Sequence, residues 1–98
     1  MSIIQISVLR KMCNEDLFDE YGQNMTRYCD LVPDEAVFIS KDYYMPEGFC
    51  PWAWADIHRE VITLAMGGDY PWSKQAGVAI ACCTDGLRPV IFKLERLE

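Results

Sequence analysis

The sequence is poor in several features that would place it quickly. It has one histidine in 98 residues and no Cys-x-x-Cys pair, so the closely spaced ligands of a structural zinc site are missing. Its nine basic residues are scattered, Arg10-Lys11 being the only adjacent pair. With a net charge of −6, that argues against a phosphate-binding surface for nucleic acid. No apolar run approaches the roughly 20 residues needed to cross a bilayer. The opening MSIIQISVLRK lacks the basic start and small-residue cleavage site of a secretory signal. The expectation is a cytoplasmic protein with neither a membrane nor a nucleic-acid partner. In that compartment Cys13, Cys29, Cys50, Cys82 and Cys83 are reduced thiols, and their odd number also speaks against a complete disulfide framework.

What is present suits one small globular domain spanning residues 1–98. Apolar residues make up 51% and charged residues 24%, which is ordinary for a folded chain. Five tyrosines, four phenylalanines and three tryptophans are many large rings for so short a chain. Some of that surface is expected to find cover in an oligomer, because small domains bury their apolar area poorly.

Alternation of Ile4, Ile6 and Val8 with Gln5 and Ser7 predicts an opening strand over 2–12. Asn14 as a cap, Glu15 and Asp16 in a first turn and Gly22 as a stop predict a short helix over 15–21. Residues 35–40 form a second strand candidate. Pro51 at a first helical position, Gly67-Gly68 as a left-handed stop and an apolar stripe at helical spacing predict a helix over 51–66. GVAIACC and RPVIFKLERLE flank an Asp-Gly pair and predict a hairpin. Both strands are apolar on both faces, which points to central positions in a sheet. The order β-α-β-α-β-β gives an α+β fold, with helices packed on a mixed or antiparallel sheet.

Placing Pro51 first in its helix makes Cys50 the cap. There a sulfur faces unpaired backbone N–H groups and the positive end of the helix dipole, both of which favour thiolate. The plainer reading is that Cys50 fills a small gap beneath Phe49 and Trp52. In the hairpin, a loop of Thr84 to Leu87 would set Cys83 opposite Arg88 and Cys82 opposite Pro89. Arg88 could then stabilise the Cys83 thiolate or hold a small anionic ligand, or pair with Asp85 or Glu60. If the 51–66 helix covers that face of the sheet, Cys50, Cys83 and Arg88 would share one pocket. His58 would serve there as a base, and Trp54 and Asp56 would line it. The plainer readings, which carry more weight, are a half-buried ring for His58, core for Trp54 and a solvated carboxylate for Asp56.

The blocks GFCPWAWADI (48–57), GGDYPW (67–72) and GVAIACCTDGLRPVIFKLER (77–96) resemble a family of small, uncharacterised, mostly anaerobe-associated bacterial and archaeal proteins. The likeness extends to the SVLRK strand and the NEDL helix start. It implies a cytoplasmic protein in a reducing cell and carries over no activity, cofactor or fold.

Three functions stay open on this reading. The first is thiol-centred binding or conversion of a small anionic molecule at Cys50, with Cys83 and Arg88 assisting. The second is metal or iron–sulfur binding by Cys29, Cys50 and one of Cys82 and Cys83, since soft sulfur suits iron, zinc or copper(I). The third is a non-catalytic oligomeric interaction protein, with Tyr43, Tyr44, Trp52 and Trp72 covering a partner surface.

Overall fold

A computed structural model describes residues 2–98. Six elements run β1 (Ile3–Lys11), α1 (Glu15–Tyr21), β2 (Val37–Lys41), α2 (Pro51–Ala65), β3 (Val78–Cys82) and β4 (Val90–Arg96). The strands form one sheet in the order β2-β1-β4-β3, with every neighbouring pair antiparallel. The fold is α+β in the expected element order.

Period-two burial places Ile4, Ile6 and Val8 on β1 and Val90, Phe92 and Leu94 on β4 against the helix. Helix α2 closes that face with Ala53, Ile57, Val61 and Leu64, the last three fully buried. Pro51 starts α2. Its end is a left-handed glycine cap, in which Gly67 takes φ +86° and its N–H donates to Leu64 O. The Gly68 N–H reaches back to Thr63 O at 2.9 Å. An alanine at 67 would have to adopt the same positive φ, which only glycine takes without strain.

Arg96 of β4 secures this end of α2. Its Nη1 donates to Leu64 O and Gly68 O, each at 2.9 Å, and its Nη2 to Asp69 Oδ1 at 3.0 Å. The Gly77 N–H donates to the same carboxylate oxygen at 2.6 Å. That backbone bond, helped by the Arg96 guanidinium and opposed by partial burial, holds the Asp69 carboxyl below its usual range.

Helix α1 is anchored differently from α2. Asn14 makes no side-chain cap bond to its helix. Its Nδ2 donates instead to Gly86 O, and its backbone N–H to Leu87 O. Arg27 bridges Glu15 and Asp19 and lies over the Phe18 ring.

Two hairpin expectations are corrected. Cys82 pairs with Ile91, and the Cys83 N–H donates to Val90 O, so Cys83 does not face Arg88, nor Cys82 Pro89. The register is two residues longer on the β4 side because residues 84–89 are bonded elsewhere. Asp85 Oδ1 accepts from the Leu87 and Arg88 N–H groups, while Leu87 O and Pro89 O accept from Asn14 and Met12. The loop is thereby fastened to the β1–α1 connection, not to β3. Only β4 occupies the central position expected of both strands; β3 is an edge.

Candidate functional site

The first turns of α2 and the corner after β3 are drawn together by Thr84. Its N–H donates to Asp56 Oδ2 at 2.7 Å, its hydroxyl lies 3.0–3.1 Å from both oxygens of that carboxylate, and the Trp52 indole N–H donates to the same hydroxyl at 3.1 Å. Asp56 and Trp52 are four apart on the helix and so share a face. That brings the Cys83–Thr84 corner to the N-terminal end of α2.

Chemistry at this corner is restrained. Cys50 is the cap of α2 but makes no side-chain cap bond; its half-buried side chain packs against the core. Cys83 is buried in that core, its sulfur accepting the Val90 N–H at 3.3 Å. Arg88 is engaged away from Cys83. Its Nη1 donates to Thr26 O and Oγ1, and its buried Nε sits 3.5 Å from Asp85 Oδ2. His58 leans on the Trp54 ring, centroids 5.0 Å apart, and Trp54 meets Phe49 edge-on. Of the pocket residues, then, Asp56, Arg88 and Cys83 each hold a structural bond.

Cys29 is half-buried and packs on the same core, while Cys82 is exposed on the sheet edge. Among the described residues, no group of three or more His, Cys, Asp or Glu side chains is placed to hold a metal. The sulfur ligands proposed from sequence, Cys29, Cys50 and one of Cys82 and Cys83, therefore do not form a ready set.

A different region has the shape of a binding site. Between α2 and the free edge of β3 lies a cleft of about 250 Å³, bounded by Arg59, Glu60, Tyr70 and Cys82. It passes Trp72 into a second hollow of about 440 Å³ along Val78–Ile80, roofed by Ser73–Gln75. Trp72 stacks on Tyr70 at 5.0 Å and remains 78% exposed. Arg59 and Glu60 form an ion pair at the cleft's rim.

The floor of the cleft is an unpaired strand edge. Cys83 donates to Val90, and Gly77 accepts from Arg96, so odd-numbered residues direct their backbone groups at β4. Antiparallel alternation then turns the N–H and C=O of Val78, Ile80 and Cys82 outward. The Ser73 hydroxyl covers the Val78 carbonyl at 2.6 Å, leaving the Val78 N–H and both groups of Ile80 and Cys82. Sequence reasoning named Trp72 for a partner surface but missed the edge beside it, because it read β3 as central.

Exposure and local charge set an order for the thiols. The Cys13 thiol is pushed up by local desolvation and by the Glu15 carboxylate 3.5 Å away. Alkylation at neutral pH is expected to label Cys82 first and Cys83 last, with Cys13 slow despite its accessibility. Residue-resolved mass spectrometry over time reads this order, and labelling of Cys83 as fast as Cys82 would contradict it.

No helix among the described residues is long and apolar enough to cross a membrane. No family model, curated protein or solved structure matches the chain.

Proposed function

We propose that the chain is a non-catalytic interaction protein that takes up an extended strand of a partner along the edge of β3. The observation that supports this reading is the edge itself. Five residues, VAIAC, carry no charge and no proline, and they lie beside a cleft topped by an exposed tryptophan. Natural sheets guard free edges with charges, prolines or bulges. The opposite edge, β2, carries Lys41 and starts just after Glu35 at φ +57°. Strand addition draws affinity from main-chain bonds and specificity from flanking pockets.

The test compares the wild type with Ile80→Pro as bait in an extract of the source cells, to which untagged protein has been added. Position 80 directs its N–H outward, so proline removes a donor to the partner and leaves the β3–β4 bonds in place. Chains retained by the wild type and lost with Ile80→Pro, identified by mass spectrometry, are the expected outcome. Identical sets from the two baits would refute the reading.

A second reading rests on Cys50, which occupies the cap of a 15-residue helix with Pro51 behind it. Thiol-centred binding of a small anion there predicts that added sulfate slows the alkylation of Cys50 and leaves that of Cys82 unchanged. The same alkylation experiment with and without sulfate decides it: no protection, or equal protection of the two thiols, removes the reading.

A further inference from the structure

We propose that the strand received at this edge is β3 of a second copy of the same chain, joining two four-stranded sheets into one of eight across a twofold axis. This rests on the edge reading above and names its partner.

The composition of β3 is the first argument. VAIAC carries no charge and no proline, the devices with which natural sheets guard a free edge. In one chain it has a neighbour on one side only, and Ile80 on that open strand is 59% exposed. Pairing with its own copy gives β3 the second neighbour that this unguarded edge lacks.

Register is the second. A twofold contact is self-complementary, so each residue meets its own counterpart reflected about the axis. With the axis at Ala81, Ile80 lies opposite Cys82 of the second copy and Cys82 opposite its Ile80. At these two residues both the outward N–H and the outward C=O are unmet within one chain, and the pairing satisfies all four of them in each copy. The two Ala81 residues then form a non-hydrogen-bonded pair, where Cα atoms approach to about 4.5 Å, and a small side chain suits that approach.

Light scattering coupled to size-exclusion chromatography, repeated over a dilution series, reads the assembly. The wild type should run at twice the chain mass and dissociate on dilution. Ile80→Pro and, on the exposed face, Ile80→Lys should both run as monomers with an unchanged circular dichroism spectrum. Ala81→Cys in a Cys82→Ser background should link into a covalent dimer under mild oxidation through the two introduced thiols, since cross-strand separations fall within disulfide range. A monomeric wild type overturns the proposal, as does a dimer indifferent to both Ile80 variants or a folded dimer in which the introduced thiols fail to join. A monomer that still recovers another protein from extract through Ile80 overturns the self-pairing alone and leaves the edge reading standing. A monomer that recovers nothing ends both.

Discussion

Phe92→Ala is expected to lower the free energy of unfolding by about 3–5 kcal/mol, the range for removing a fully buried ring. Against a total of about 5–15 kcal/mol for a domain, that is much of the stability of the fold. Phe92 has no exposed surface and sits mid-sheet, opposite Val8 on one side and Ala81 on the other. Ala81 cannot extend into the space a lost ring leaves. The ring also lies 5.5 Å from Phe49, which in turn meets Phe38 and Trp54 edge-on. Because Phe49 immediately precedes the cap of α2, the same variant should loosen Cys50. Urea titration gives the stability change, and Cys50 labelling should accelerate alongside it. A loss under about 1 kcal/mol, which core truncations rarely show, would mean that the aromatic cluster collapses around the gap.

Arg96→Leu should cost about 2–3 kcal/mol, because charge-assisted bonds to a carbonyl of the last helical turn and to one of the turn beyond it disappear together. Leucine retains the apolar stem against Gly77, whose Cβ position lies 3.5 Å from the Arg96 Cβ, so the loss reports the bonds more than the packing. The associated pH dependence has a definite sign. The folded carboxyl of Asp69 titrates below its unfolded value, so its contribution is complete above the ordinary carboxylate range. It disappears as pH falls through the lowered folded value. Asp69→Asn should therefore narrow its stability gap to the wild type under strong acid, while at neutral pH the gap is full. Urea midpoints at the two pH values check this, and a gap that widens on acidification would contradict the assignment.

The regular elements were readable because their signals are local. Alternation from Ile4 to Val8, Pro51 at the head of α2 and the glycine pair at its tail each act within a few residues. The hairpin was misread for a local reason too: Asp85 turns its side chain onto the Leu87 and Arg88 N–H groups, opening a longer loop than an Asp-Gly pair suggests. The pocket was half legible. Sequence reasoning places Asp56 in its lining beside Trp54, but the partner that Asp56 shares with Trp52, Thr84, lies 28 residues beyond Asp56, and nothing in the intervening sequence announces it. Arg88 fitted the pocket only while it stood opposite Cys83. Once the register moved, its charge served Asp85 and Thr26. The position of β3 was the least legible feature, since strand composition reports how many neighbours a strand tolerates and not how many its own chain supplies.

The centre of the sheet joins β1 to β4, strands some eighty residues apart along the chain. Loop closure over that distance precedes any gain from pairing, which places the protein among slow, non-local folders. Until β4 docks, β3 has no neighbour at all, and its uncharged VAIAC edge is open on both sides to any other unfinished strand. The segment proposed to join two native copies is thus also the one most exposed to mispairing during synthesis, so a delay in β4 is where aggregation of this chain would begin.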